Sequence, residues 1–315
     1  MRGTCARCRP GRTPHALRRH RKSLRRTPGR ARRAPWGAAS LPGVDIPKRD
    51  LDRALEIATE LAGRASETIR RAGAAAPAAV RQKAGPADIV TDTDETVEAH
   101  VREVLAAAFP GYGIVGEEYG ATEGLPGTPH WVIDPVDGTT NFAHGLGWCS
   151  FSLGLAAPDG TPLLGVVADP WRGETFTAVR GRGAHLNGVP VRAADHTTLT
   201  GHVFLTEWAA HAHWPGMDAL LADLADRHCT VRVMGSTALS LAQVAAGRAT
   251  AAAIGEFHAV DGLPALLIAR EAGAIALPEL PAHDEPLLLS APGVAEEAAR
   301  IWRRSRERET AHGAH

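Results

Sequence analysis

Trp131-Val132-Ile133-Asp134-Pro135-Val136-Asp137-Gly138-Thr139-Thr140-Asn141-Phe142 decides the reading of this chain. Its first residues form a short apolar run, the pattern of a buried strand. The run then delivers two aspartates three residues apart, with Pro135 fixing the backbone between them. Gly138 and two threonines follow. An Asp-Gly pair alone would read as a strand ending in a turn. Two aspartates, a proline, a glycine and two threonines within seven residues point instead to a site. Ionised carboxylates are costly to bury without a cation or donors. A divalent metal meets that need, and hard oxygen ligands favour Mg²⁺. The segment Gly138-Thr139-Thr140 offers backbone N–H groups and hydroxyls to an anion beside the metal.

The chain has 315 residues, enough for one large domain or two smaller ones sharing a sheet. A hydrophobic content of 44% is ordinary for a soluble globular protein. No apolar run is long enough to span a bilayer. The net charge of zero conceals an asymmetry. Thirteen of the 35 Lys+Arg fall in residues 1–44, which hold no acid, so residues 45–315 carry 22 basic against 35 acidic residues, a net −13. An acidic body argues against nucleic-acid binding by the domain itself. Cys5, Cys8, Cys149 and Cys229 make no disulfide framework, so a reducing, cytoplasmic setting is expected.

Residues 1–47 are Arg- and Pro-rich and read as a disordered basic extension. Arg18-Arg19 and Arg25-Arg26 lack the apolar stretch that an export signal requires. Cys5 and Cys8 with His15 and His20 stand too close together for a familiar zinc finger. A basic arm touching nucleic acid is the bland alternative for this segment. The remainder, 48–315, reads as one functional domain with two sheet-containing halves, roughly 48–190 and 191–295.

Asp50 to about Arg71 has helical periodicity, with Leu51, Leu55, Ala58 and Ala62 on one stripe and Ile57 and Leu61 beside it. Ala72 to Pro86 reads as a loop, and Lys83 in it as a solvated lysine. A second helix is expected to about Phe109, with Val97, Val101, Val104, Leu105 and Ala108 on its apolar face. Asp92 with Glu95 resembles a capping box, making Asp92 the cap. Asp94 then lies in the first turn, where the helix dipole favours an acid. Gly111 to Gly116 reads as a short strand that releases Glu117 and Glu118. It is the second acidic strand end in the chain, and two such ends at one edge can assemble a metal site from distant sequence.

Trp148–Ala157, Leu163–Ala168 and Glu174–Val179 read as strands of a largely antiparallel sheet, and Leu186-Asn187-Gly188-Val189 as a hairpin. Trp171 and Trp208 read as packing or pocket-rim residues. His211 and His213 read as isolated loop histidines. Ser236 is a good N-cap and Gly247 a good stop for the helix between them. A further helix, Leu263–Ala272, ends at Gly273. Asp261 alone would be an N-cap, but Pro264 prefers the first helical position and leaves Asp261 just outside.

Asp134 to Phe142 resembles the signature of the inositol monophosphatase family. Asp88–Asp94, Gly111–Glu118 and the Gly-Ser-Thr-Ala-Leu and Val-Ala-Ala-Gly-Arg pieces after Met234 agree with that family in order and spacing. The resemblance spans about Asp50 to Pro292. It implies an α/β (α+β) fold of alternating layers, a homodimer, and hydrolysis of a phosphate monoester with two or three Mg²⁺ ions. Glu117, Asp134 and the Val136 carbonyl would hold one ion, and Asp134, Asp137 and Asp261 a second. A third, weaker ion would sit on Glu117. Asp94 would pair with Thr139, which would orient the attacking water. Asp137, Gly138, Thr139, Thr140, Asp261 and Lys83 would face the substrate, with Lys83 on a mobile loop near the metals.

The chain departs from the family in two places. Val260-Asp261 replaces the usual Trp-Asp. Ile254 stands where animal inositol monophosphatases carry a glutamate that contacts a substrate hydroxyl, and Glu256 is displaced by two residues. Losing a hydroxyl acceptor alters which polyol is preferred and leaves the metal chemistry in place. The substrate implied first is a small phosphorylated polyol like inositol 1-phosphate. Histidinol phosphate is the main alternative, ahead of fructose 1,6-bisphosphate and 3′-phosphonucleotides. A non-catalytic phosphate- or metal-binding protein of the same fold is the rival from another class.

Overall fold

Residues 46–74, 80–83, 89–209 and 212–312 are described in a computed structural model of the chain, with side chains through 308. The basic segment before Ile46, Asp88 and His211 therefore lie outside the described residues. α1 (Lys48–Gly73) is followed by the hairpin of β1 (Val80–Gln82) and β2 (Ile89–Thr91), then by α2 (Asp92–Ala108). The expected loop at 72–86 thus contains a strand, because Val80, Arg81 and Gln82 pair antiparallel with Thr91, Val90 and Ile89. Next come β3 (Gly113–Gly116), β4 (Gly120–Thr122), β5 (His130–Asp137), the short helix α3 (Thr139–Ala143), β6 (Ser150–Ala156), β7 (Pro162–Asp169), β8 (Glu174–Val179), β9 (Ala184–Leu186) and β10 (Val189–Val191).

These strands form an eight-stranded sheet in the order β10-β9-β8-β7-β6-β5-β3-β4. From β5 to β10 every pairing is antiparallel, as the short connections after β6 demand, while β3 and β5 run parallel. Asn187 and Gly188 both adopt positive φ, 48° and 77°, which is the twist-matched turn that an Asn-Gly pair favours between β9 and β10.

The second half comprises β11 (Val203–Thr206), α4 (Met217–Ala225), β12 (Thr230–Val233), α5 (Thr237–Ala245), β13 (Ala251–Ile254), α6 (Ala259–Glu271), β14 (Ile275–Leu277), β15 (Leu287–Ser290) and α7 (Ala295–His312). Its five-stranded sheet has the order β12-β11-β13-β15-β14. β12, β11 and β13 are parallel, joined by the crossovers that carry α4 and α5, and β15 runs antiparallel to both β13 and β14.

Three apolar clusters bind these pieces into five layers. α1 and α2 cover one face of the large sheet, through Ala58, Leu61, Ile69, Val101, Leu105, Trp131, Phe151 and Leu153. α5 and α6 fill the space between the two sheets, with Leu239, Leu241, Leu266 and Ile268 against Val132, Val167, Phe176 and Leu289. α4 and α7 cover the outer face of the small sheet, where Trp214 and Trp302 lie against Leu220, Phe204 and Leu288. α5 and α6 are apolar all round because they are covered on all sides, the expected pattern for a middle layer. Among the described residues, no helix is long and apolar enough to cross a membrane.

α6 begins a turn earlier than the sequence suggests. Its cap is His258, the Gly262 N–H closes the first turn on the His258 carbonyl at 2.9 Å, and Pro264 lies inside the helix. Asp261 is consequently a first-turn residue rather than an outlier before the helix. Tertiary packing overrides the proline's preference for the first position: Pro264 presses on the large sheet where β6 and β7 carry Gly154 and Gly165. A methyl added to Gly165 would stand 2.4 Å from the Pro264 carbonyl oxygen, and one on Gly154 would stand 2.9 Å from the Pro264 ring. Gly165→Ala is therefore expected to destabilise the protein by about 1–3 kcal/mol through overpacking against rigid backbone. Urea unfolding measures it, and a midpoint equal to wild type would contradict the packing described.

Candidate active site

Asp134 and Asp137 leave the C-terminal end of β5. In a regular strand, residues three apart face opposite sides of the sheet. Here the register against β6 shifts between them: Asp134 pairs with Ser152 and Asp137 with Ser150, so one extra residue sits on β5. Such a bulge cancels the alternation and gathers both acids. Pro135, which has no N–H to give the ladder, marks the place. The Val136 N–H turns inward and donates to Asp134 Oδ1 at 2.9 Å.

Asp137 is held from across the molecule. Its Oδ2 accepts from the Ser236 hydroxyl at 2.5 Å and the Ala238 N–H at 2.8 Å, and its Oδ1 from the Thr237 N–H at 3.1 Å. The N-terminus of α5 is thus bound by a carboxylate, which its orphan N–H groups and dipole favour. Ser236 caps α5 as the sequence suggests, accepting from the Leu239 N–H, and also serves Asp137. Asn141 secures the same junction, donating to the Trp148 and Met234 carbonyls at 2.8 and 2.7 Å. Gly138, at φ 92°, lies so close to Gly235 that a Cβ would stand 2.7 Å from its carbonyl oxygen.

The second acidic strand end lies beside this one. β3 pairs with β5 up to Gly116 and Ile133, and the Glu117 N–H donates to the Ile133 carbonyl. Lys83 Nζ lies 2.9 Å from Glu117 Oε1 and 2.8 Å from Glu118 Oε1. It is therefore an ion-paired lysine, not a solvated one. The backbone after Glu117 is fixed by buried Glu98, which accepts from the Glu118 and Tyr119 N–H groups and pairs with Arg102 at 2.8 Å. Gly116 gives Glu98 room, since a Cβ there would overlap its Oε1 at 1.9 Å.

α2 supplies the next group. Its cap is Thr91, with Asp94 returning the bond to the Thr91 N–H at 3.0 Å and accepting from the Thr91 hydroxyl. The capping box is therefore Thr91–Asp94, one residue earlier than the Asp92–Glu95 reading. Asp92 is exposed and, with Glu95, pairs with Arg81. Asp94 is fully buried, and its other oxygen lies 3.2 Å from the Thr139 hydroxyl, which also stands 3.0 Å from the Val136 carbonyl. Thr140 is exposed on α3. Asp261 reaches the group from the start of α6, a quarter exposed, with the Ser152 hydroxyl donating to its backbone carbonyl.

The electrostatics follow from crowding acids into a buried place. Burial, then the charges of Glu117, Asp137 and Asp261, holds Asp134 well above the usual carboxylate range. Burial and Asp261 push Asp137 up to about 7, against the donors from Ser236 and α5. Burial raises Glu117 despite Lys83, raises Glu118 to about 7, and raises Asp94 despite its bonds to Thr91 and Thr139. Burial by itself would lower the Lys83 ammonium, but Glu117 and Glu118 outweigh it.

A hard divalent cation fits this donor set: oxygen ligands only, several negative charges, and carboxyl pKa values raised first by burial and then by neighbouring acids. In the arrangement seen, ligand atoms that all come within 4.8 Å of one another occur, among the described residues, in a different group: His258, His283 and Asp284. A cation on Glu117 would compete with Lys83.

Sequence reasoning missed Glu98 and Glu207 altogether. Glu207 is buried after β11, accepts from the Gly235 N–H and Ser240 hydroxyl at 2.5 Å each, and is pushed up to about 8, chiefly by burial. Both acids are buried and need donors, but their backbone donors lie some twenty to thirty residues on, at Glu118, Tyr119 and Gly235. Ile254 is buried in β13 and Glu256 is exposed. Trp171 donates to Cys149 Sγ at 3.4 Å, while Trp208 is exposed with His213 at its edge. His213 pairs with Asp218.

Comparison with known proteins gives the chain's family and its fold neighbours. The chain is 37% identical over 240 residues to an inositol monophosphatase of Mesembryanthemum crystallinum, which covers 74% of this chain and 86% of that protein. It is 40% identical over 194 residues to the Nus factor SuhB of Pasteurella multocida, 60% of this chain and 71% of that one. Among solved structures, SuhB of Bartonella henselae superposes with a TM-score of 0.72 at 27% identity, covering 79% of this chain and 98% of that chain. SuhB of Mycobacterium tuberculosis gives 0.68 at 30% identity, with 81% and 97% covered. A sequence model described as the inositol monophosphatase family matches residues 50–311. The protein belongs to the inositol monophosphatase family and is a phosphatase.

Proposed function

We propose that the protein hydrolyses a small phosphate monoester with Mg²⁺, a phosphorylated polyol like inositol 1-phosphate being the first substrate. The observation that carries this reading is the convergence of Glu117, Asp134, Asp137 and Asp261 beside the Thr139–Asp94 hydrogen bond. Glu117, Asp134, Asp137, Asp261 and the Val136 carbonyl would hold two ions, with a third on Glu117. When bound, Mg²⁺ would neutralise phosphoryl oxygens, acidify water and stabilise the leaving alkoxide.

The chain's own groups do the rest. The backbone N–H groups of Gly138, the cap of α3, and of Thr139, its first residue, would suit a phosphoryl oxygen. The Thr139 hydroxyl would accept a proton from the attacking water while giving its own to Asp94 Oδ1. Asp94 is held for that role by Thr91, so its free rotation is lost before substrate arrives. Water attacks phosphorus directly, and no covalent phosphoenzyme forms. Lys83, tied to Glu117 and Glu118, is placed to respond to any new charge there. Two copies of the chain are expected to associate as a homodimer.

Phosphate release should require Mg²⁺ and be suppressed by EDTA, with one preferred ester among inositol 1-phosphate, histidinol phosphate, fructose 1,6-bisphosphate and a 3′-phosphonucleotide. No release from any of them, with Mg²⁺ binding established, would favour a non-catalytic binder. Asp134→Asn should abolish turnover while circular dichroism stays native, and near-normal Mg²⁺-dependent activity in that variant would sink the assignment.

A pH dependence also follows. Carboxylates with raised pKa bind protons more tightly in the folded protein than in the unfolded one. Their contribution is present at low pH and is lost as pH rises from the ordinary carboxylate range through about 7, where Asp137 titrates. In EDTA the Tm should therefore be lower at pH 8 than at pH 6, and Mg²⁺ should raise it more at pH 8. Asp137→Asn should flatten that slope. A Tm in EDTA equal at both pH values in the wild type would contradict the clustering.

A further inference from the structure

We propose that His258, His283 and Asp284 form a second cation site, one for a borderline divalent ion of the Zn²⁺ class. Their ligand atoms all lie within 4.8 Å of one another. His258 Nε2 stands 3.0 Å from Asp284 Oδ1, and His283 Nε2 stands 3.4 Å from the same oxygen. Nitrogen and oxygen ligands around a tetrahedral zinc ion stand about 3.3 Å apart. The two imidazole rings are stacked with centroids 4.8 Å apart, so both present an edge to one carboxylate.

The site is built by the fold rather than by chance meeting of side chains. The Asp284 N–H donates to the Phe257 carbonyl at 3.0 Å, and the Phe257 N–H donates to the Glu285 carbonyl at 3.2 Å. These bonds lash the loop before β15 to the residue preceding His258. His258 itself is fixed as the cap of α6. Its other ring nitrogen, Nδ1, lies 3.7 Å from Asp261 Oδ2. At that distance the contact is electrostatic rather than a hydrogen bond: it favours positive charge at His258 without fixing the ring.

The donor set selects the ion. Two imidazoles with one carboxylate suit zinc and its neighbours, whereas Mg²⁺ takes oxygen ligands and keeps much of its water. An ion here would take the place of the proton shared between His258 Nε2 and Asp284 Oδ1. His283 and Asp284 are 74% and 62% exposed, so an ion would enter freely and keep an open position for water. The link to Asp261 touches the reading of the catalytic site, but the binding itself does not depend on it.

The experiment is a calorimetric titration of ZnCl₂ into the full-length protein in excess Mg²⁺, for wild type, His283→Ala and Asp284→Asn. Both residues are exposed, so neither substitution threatens folding. Each variant is expected to weaken one zinc equivalent about tenfold or more, while zinc-free, Mg²⁺-dependent phosphate release stays at the wild-type rate. Equal zinc affinity in all three proteins would overturn the site and direct attention to Cys5, Cys8, His15 and His20. Because the readout is binding, its failure would leave the phosphatase reading untouched, and loss of turnover would leave the zinc result standing.

Discussion

Like charges held together in a buried place are the constraint on which this structure turns. Glu117, Asp134 and Asp137 come from two strand ends and Asp261 from a helix start, and their mutual repulsion adds to the cost of burial. No apolar core gains from such an arrangement. It persists because other parts of the fold over-determine it. The β5 bulge fixes the separation of Asp134 and Asp137, α5 supplies donors to Asp137, and Glu98 pins the backbone after Glu117. The stabilisation that offsets this comes from three apolar clusters, two of which reach into the site through Ile133, Val136, Phe142 and Ala238.

The two aspartates of the central motif are not equivalent. Asp137 is bonded on both oxygens by the start of α5, so its position depends on residues a hundred places away. Asp134 has the Val136 N–H for one oxygen and the stronger repulsion from its neighbours. Of the two, Asp134 has the greater electrostatic need for a cation, and Asp137 the more rigid orientation. Gly138 and Gly235 make this possible by letting the two backbones approach more closely than any side chain would allow. A motif that reads as local is therefore completed by the second half of the chain.

The sequence discloses the chemistry of this site better than its construction. An apolar run ending in acids is visible wherever it occurs, so both acidic strand ends could be found, and so could the antiparallel run from β6 to β10. Local rules failed where two local solutions competed. Thr91-x-x-Asp94 and Asp92-x-x-Glu95 both satisfy a capping box, and the choice is made by a distant contact, Asp94 with Thr139. At α6 the rule for proline lost to packing, because Gly154 and Gly165 accept Pro264 in a helix interior. The order of the small sheet, with its parallel crossovers, depends on pairings between strands far apart in sequence and leaves no local trace.

On the proposed reading, the reaction and the choice of substrate would rest on different residues. The groups that would meet phosphate and water lie on β5, α3 and α2, and each has a partner that fixes it. The groups that would meet the alcohol portion lie in the second half, where Ile254 is turned into the core and Glu256 faces solvent. Under the proposed polyol reading, a substrate hydroxyl would find no acceptor at Ile254, and the site would discriminate less sharply against a ligand lacking that hydroxyl. Glu207 does not replace it, since its oxygens are already taken by Gly235 and Ser240. What Glu207 does is hold the loop that presents Ser236 to Asp137. Its burial thus serves the position of Asp137, through Gly235 and Ser236, and leaves no free carboxylate oxygen there for a ligand hydroxyl.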